Sequence, residues 1–372
     1  MEIGRIARRF PLVARPRPAC PPLDERVEEV VELARSAERT AKLSLAALAQ
    51  NKAALIASDC GVPDLARTLC WRHAEVFLGA QPLSAQEARY ALEPVVNLAR
   101  LLVRDGDGSS AYRVLEDLVH AAKSGGRAEV DGHTVRFENL TATQEDHHQL
   151  HRWLWTVLLA DGIRALVTAG EWERARAQAR QHRGIGTRLL DGRQVEIVGR
   201  CLAGDPADAH ALLNSSVTAE PWERPVASCL AILCQHQAGK VEQTTLATMV
   251  QDYLSLDTPA ELDLFRTRVG LAALDLSELD PAHTSAITDR LLTEAAGGRN
   301  GYTAREVLAH PTCRERLEPA TQRALRTALS SSGLGQGHIP TYLEQDLLHA
   351  AEHSATTAQH LLAHRQTADH ST

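Results

Sequence analysis

The 372-residue chain has little aromatic character, at 4%, and almost no lysine: Lys42, Lys52, Lys123 and Lys240 stand within a Lys+Arg total of 40. With so few rings, a stacking platform for bases has nothing to be built from. Trp71, Trp153, Trp155, Trp172 and Trp222 are spread along the chain as core residues would be. A formal charge of −7 gives no reason for a polyanionic partner, so no nucleic acid is expected. No apolar run approaches the roughly 20 residues of a membrane span, and no membrane contact is expected. The N-terminal "MEIGRIARRFPLVARPRP" carries five arginines but lacks the apolar stretch of about 7–15 residues of a secretory leader. Residues 1–23 read as a basic arm. The seven cysteines are odd in number, and Cys60, Cys70, Cys201, Cys229 and Cys234 lie inside apolar helical runs. That pattern excludes a loop-borne disulfide framework and points to buried reduced thiols in a cytoplasmic protein.

Catalytic signatures are missing as well. There is no Gly-x4-Gly-Lys-Ser/Thr phosphate loop, and "GIGTRLLDG" (184–192) lacks both the third glycine and the preceding strand of a dinucleotide fingerprint. No His-Glu-x-x-His helix, Cys-x-x-Cys pair or Gly-x-Ser-x-Gly elbow occurs. No cofactor is implied.

What the chain does have is alanine and leucine in quantity, with small side chains that let helices pack closely. It also has an internal repeat. "GVPDLARTLC" (61–70), "GDGSSAYRVL" (106–115), "GEWERARAQA" (170–179), "GDPADAHALL" (204–213) and "GKVEQTTLAT" (239–248) each open on Gly and carry a small residue five later. Those residues are Ala66, Ala111, Ala175 and Ala209, with Thr244 in the last unit. An apolar helical stretch precedes every Gly, so each unit reads as helix, glycine turn, helix, the glycine taking the positive φ at which the first helix stops. Gly170, Gly204 and Gly239 are 34 and 35 residues apart.

This period and the segment "LLADGIRALVTAGEWERARAQA" resemble tetratricopeptide repeats, as does Pro221 at the end of the following unit. The resemblance covers residues 45–255. It implies an all-α fold, a right-handed superhelix of antiparallel helix hairpins. The longer spacing between Gly106 and Gly170 contains "AEVDGHTVRFENL" (128–140), which predicts a small β-hairpin turning at Asp-Gly. The expected organisation is a basic arm (1–23), N-terminal helical repeats (24–125), a hairpin insertion (126–142), central repeats (143–258) and C-terminal helices (259–330). A flexible link, a last amphipathic helix over 341–364 and a frayed polar tail complete it (331–372). The arginine-for-lysine bias is that of a GC-rich genome of the actinobacterial kind.

Two places draw attention as sites. "EDHHQLHRWLW" (145–155) concentrates Glu145, Asp146, His147, His148 and His151. Its "DHH" resembles the motif of the Asp-His-His phosphoesterases, but those are α/β proteins with further aspartates on strands, and here only the turn "DGDG" (105–108) is on offer. Thr143 is a suitable N-cap, and both carboxylates suit the first turn of a helix running from Thr143 to Ala169. His147 and His151 stand four apart, so a metal would need a third ligand, for which His133 in the hairpin is the candidate. On the last helix His349, His353, His360 and His364 form two further i, i+4 pairs, read as solvated polar residues.

The second place follows from the resemblance, which implies that partners lie along the first helices of the hairpins. There Asn51, Asn97, Arg100, Arg104, Arg164 and Gln194 would hold a peptide backbone or carboxylate, the arginines through paired hydrogen bonds. The leading expectation is a non-enzymatic cytoplasmic adaptor or scaffold for a peptide segment or protein partner. A ligand- or peptide-sensing regulator without its own DNA-binding domain, and an all-α metal-dependent enzyme centred on 145–151, are the alternatives.

Overall fold

A computed structural model describes residues 3–277 and 280–369. In chain order the helices are α1 (Ile3–Ala7), α2 (Leu23–Thr40), α3 (Leu43–Cys60), α4 (Pro63–Leu78), α5 (Ala85–Arg104) and α6 (Gly108–Ser124). Strands β1 (Arg127–Val130) and β2 (His133–Arg136) follow, then α7 (Gln144–Val157), a π-helical turn (Leu158–Gly162), α8 (Ile163–Thr168), α9 (Trp172–Gln181), α10 (Asp191–Leu202) and α11 (Pro206–Asn214). The remainder are α12 (Glu223–Gln237), α13 (Gln243–Leu254), α14 (Asp263–Leu276), α15 (Pro281–Gly297), α16 (Gly301–Ala309), α17 (Pro311–Glu315), α18 (Pro319–Ser331) and α19 (Thr341–Asp369). The described chain is thus all-α apart from one two-stranded antiparallel hairpin. No described helix is long and apolar enough to cross a membrane.

Two compact units form, and neither is one continuous stretch: unit 1 is Met1–Pro22 with Leu166–Ser332, and unit 2 is Leu23–Ala165 with Gly333–Thr372. Each unit thus joins stretches that are far apart in the chain.

Local chemistry explains most elements. All five repeat glycines, Gly61, Gly106, Gly170, Gly204 and Gly239, take positive φ between 76° and 87°. Each lets the chain turn where an L side chain would clash with its own backbone. At Gly61 and Val62 the amides return to Ala57 and Ser58 carbonyls, closing α3. Ala66, Ala111, Ala175 and Ala209 are fully buried, as the repeat requires, whereas Thr244 in the last unit is exposed. There Leu246, two residues on, supplies the packing contact, so the fifth unit keeps the turn and shifts the face.

In unit 2 consecutive helices pack on one another from α2 to α6, and the first helices α3, α5 and α7 also touch one another in series. Ser84 caps α5 in a reciprocal box with Glu87. The β-hairpin pairs Val130 with His133 around Asp131 and Gly132, both at positive φ, the two-residue turn expected of Asp-Gly. Its Ala128, Val130, Val135 and Phe137 are buried. Helix α19 lies on α2, α3 and α4. The stretch 330–340, expected to be a flexible link, is docked instead. Gly335 N–H donates to the Asp59 carbonyl and Gly337 N–H to that of Cys60, each at 2.8 Å, while Leu334 and Ile339 are buried. The last helix runs beyond residue 364 to Asp369, and the rest of the expected frayed tail, 370–372, lies outside the described residues.

In unit 1 the hairpins α9/α10, α10/α11, α11/α12, α12/α13 and α14/α15 stack, with first helices α10, α12, α14 and α16 again neighbours in series. Their apolar faces make one core that includes Val198, Cys229, Leu233, Tyr253 and Leu271. Ile6, Ala7, Phe10 and Leu12 of the basic arm belong to that same core. All seven cysteines are buried and unbridged. Within this core, the Cys201 and Cys234 sulfurs stand 3.4 Å apart.

Candidate partner-binding faces

The segment 145–155 starts a helix as its residues suggest. The Thr143 hydroxyl accepts the Asp146 amide at 3.1 Å, and the Asp146 carboxylate accepts the Ala85 amide at 2.8 Å, tying the starts of α7 and α5 together. The Thr143 hydroxyl bond and the Ala85 amide hold the Asp146 carboxyl below its usual range. Glu145 bonds Gln149 and pairs with Arg152. His151 is half-buried; burial and the neighbouring His147 push its pKa down. His133 does not turn towards them: its ring stacks on Trp71, centroids 4.0 Å apart, while Trp71 donates to Asp131 at the hairpin tip. Among the described residues no group of three or more His, Cys, Asp or Glu side chains is placed to hold a metal ion. On α19, His353 meets Glu38 at 3.0 Å, and His349, His360 and His364 are exposed.

The helix does not run unbroken from Thr143 to Ala169. A π-helical turn at Leu158–Gly162 interrupts it, and Gly162 lies where an added Cβ would come within 2.9 Å of Leu158 Cδ1 and 3.3 Å of the buried Tyr112 ring. One extra residue in the turn rotates the next side chains around the helix axis. The residue so displaced is Asp161, which accepts Arg100 Nε at 3.0 Å and Nη2 at 2.6 Å.

Five of the six groove candidates stand on first helices of unit 2. Asn97 Nδ2 donates to Asn51 Oδ1 at 2.6 Å, and Arg100 Nη1 to Asn97 Oδ1 at 2.8 Å. A ladder thus runs across α3, α5 and the π turn: Asn51, Asn97, Arg100, Asp161. Arg164 lies half-buried three residues beyond Asp161. One turn after Arg100, Arg104 reaches Ser58 Oγ at 2.6 Å and Asp59 Oδ1 at 2.8 Å, while Arg26 takes the other oxygen of Asp59 at 2.6 Å. Arg100 keeps 49% of its side chain exposed and Arg104 37%, so the face is polar and open to solvent. Asp59 and Asp161 were missed from sequence. A lone carboxylate inside the apolar run "WTVLLADGIRALV" was the available signal for Asp161.

Gln194, the sixth candidate, is elsewhere and is not open. It is fully buried on α10 of unit 1 and brackets one residue of the chain's own arm. The Leu12 amide donates to Gln194 Oε1 and Gln194 Nε2 donates to the Leu12 carbonyl, both at 2.7 Å. The arm continues this contact in both directions. Arg5 and Arg9 bind opposite oxygens of Asp275 on α14 at 3.0 and 2.7 Å, and His310 also meets that carboxylate at 3.1 Å. Burial alone would push the Asp275 carboxyl up, but the His310 bond and the Arg9 guanidinium hold it below the usual range. Arg15 forks onto both oxygens of the buried Asp191, at the start of α10. The Arg17 guanidinium sits 4.0 Å over the Tyr302 ring. The Cys20 amide donates to the N-cap side chain Asn300 at 3.1 Å, and Gly301 returns a bond to the Cys20 carbonyl at 2.8 Å. The sequence places these arginines in a basic arm; in the fold Arg5, Arg9 and Arg15 are paired with buried carboxylates.

Comparison with known proteins finds no matching family model, no matching curated protein and no matching solved structure.

Proposed function

We propose that the protein is a non-enzymatic cytoplasmic adaptor or scaffold that holds a peptide segment or protein partner along the first helices of its hairpins. In this reading the hairpins follow the right-handed superhelical path of a tetratricopeptide-like array, and unit 2 presents the contact face. The observation that carries it is the Asn51–Asn97–Arg100–Asp161 ladder. Amide and guanidinium groups from successive first helices line up at a half-exposed surface. A partner's backbone can bond the two amides, and a partner carboxylate can take the guanidinium fork that Asp161 now occupies. Arg104 and Arg164 extend the same chemistry towards the ends of their helices.

The test compares the unaltered protein with Arg100→Ala/Arg164→Ala in retention of a partner from native lysate, followed by binding of the identified segment to both. Retention by the unaltered protein and its loss in the double variant supports the reading. Equal retention by both, or none by either, overturns it.

A further inference from the structure

Unit 1 offers a separate observation, independent of the unit 2 face. The chain's N-terminal segment has no regular secondary structure over residues 10–22. It is held by side chains that helices α10 and α14 and the N-cap of α16 aim at it. Gln194 brackets the backbone of Leu12 through an amide that is 0% exposed. A side-chain amide that binds both the N–H and the C=O of one residue recognises extended backbone whatever its side chain. Asp275 and Asp191 are carboxylate sockets, 0% and 4% exposed, each filled by arginine. Among the described residues both guanidinium groups on Asp275 come from the arm. A carboxylate this deeply buried requires a cation, and the planar fork of arginine suits it better than lysine. Between the sockets Phe10 and Leu12 enter the apolar core. The arrangement reads out Arg9, an extended residue at 12, and Arg15, with apolar side chains between: a peptide-recognition site that already has a peptide in it.

We propose that the first-helix face of unit 1 is a binding site for extended, arginine-bearing peptide segments, and that residues 5–20 of this chain are its built-in occupant. A partner segment with arginines at the spacing of Arg9 and Arg15 and apolar residues between them binds there in place of the arm. Tethering gives the arm a high effective concentration, so a free segment enters only when the arm's own grip is weakened.

The experiment uses the full chain with Arg5→Ala/Arg9→Ala, and as probe a dye-labelled synthetic peptide of residues 1–22 read by fluorescence anisotropy. Saturable binding to the variant, at least about tenfold tighter than to the unaltered chain, is expected from removing the tethered competitor. Adding Gln194→Ala to the variant should abolish it, and a peptide of the same composition in scrambled order should not bind. Should the double variant fold poorly by circular dichroism, Arg15→Ala provides a second opening at the Asp191 end, the arginine side chain there being 40% exposed. No binding to either variant overturns the proposal. So does equal binding to the unaltered chain, or equal binding of the scrambled peptide, which would reduce the contact to charge attraction.

Discussion

The two units present their first helices in opposite ways. In unit 2 the face is a ladder of amides and guanidinium groups that remain half in water, with Asn51, Asn97 and Arg100 bonding one another and Asp161. In unit 1 Gln194, Asp191 and Asp275 on the corresponding helices are buried, and each bonds the chain's own N-terminus. The lesson concerns energetics more than topology. An exposed ion pair is worth about 0–1 kcal/mol because water competes for both partners. A buried one contributes little as a pair, yet costs about 3–5 kcal/mol when one side is removed. The same kinds of residue on the same kind of helix therefore make a half-exposed polar face in one unit and buried contacts with the chain's own N-terminus in the other.

Substitutions should separate the two faces in order of burial. Asp275→Asn removes the charge that Arg5, Arg9 and His310 share, and should lower unfolding stability by about 3 kcal/mol or more in urea titration. A loss below about 1 kcal/mol would place this contact in the same class as the exposed ladder and erase the contrast. Gln194→Leu comes next. It leaves the Leu12 amide and carbonyl and the Leu189 carbonyl without their bonds in a dry site, at a cost of about 2–3 kcal/mol. Amide hydrogen exchange at Leu12 should accelerate in that variant while exchange in α3 and α5 is unchanged.

Acid gives a similar contrast. Burial would raise the Glu196 carboxyl, but the bonds from Arg180, Arg200 and Arg176 overcome this and hold it at about 2, far below its usual value of 4.5. Asp275 is shifted in the same direction. Both carboxyls are thus depressed on folding. The stability they supply is complete above their unfolded values and is lost as pH falls from about 4.5 towards 2. For Glu196 alone the loss is on the order of 3 kcal/mol. Urea midpoints measured at pH 7 and stepwise down to pH 3 should fall for the unaltered protein, and fall less for Glu196→Gln, which has already lost the charge. Equal slopes for the two would refute the assignment.

Smaller effects test unit 2. Gly162→Ala brings a methyl against Leu158 and Tyr112 in the π turn and should cost about 1 kcal/mol, with Tyr112 near-ultraviolet dichroism altered. Asn97→Ala should cost less than about 1 kcal/mol by thermal or urea unfolding, because solvent replaces its bonds. A larger loss there would mean that the ladder is structural after all.

Much of this architecture is legible locally. A glycine before a small residue announces the hairpin turn because only glycine takes positive φ freely. Asp131-Gly132 announces the β-turn for the same reason, and Thr143 with Asp146 announces a helix start because free amides there need acceptors. The π turn is not legible, since "LLADGIR" satisfies an ordinary helical pattern as well. Helix α14, the last helix of the chain and the docked 330–340 stretch gave only partial signals, because what they pack against is distant.

The candidate site divides along the same line. Asn51, Asn97, Arg100, Arg104 and Arg164 each precede a turn glycine, and the structure puts them on the helices of unit 2 that those glycines close. Gln194 also precedes a turn glycine, yet its partner lies 182 residues away in an arm whose apolar residues follow neither a helical nor a strand period.

The sequence by itself determined the helices, their turns, the hairpin and the buried small residues, because φ preferences, caps and side-chain size act within a few residues. Only the tertiary structure decided that the basic arm is core rather than tail, and which acids its arginines meet. Those pairings join Arg9 to Asp275 across 266 residues and Arg15 to Asp191 across 176. A charge's value depends on how much water surrounds it, and burial is a property of the assembled fold.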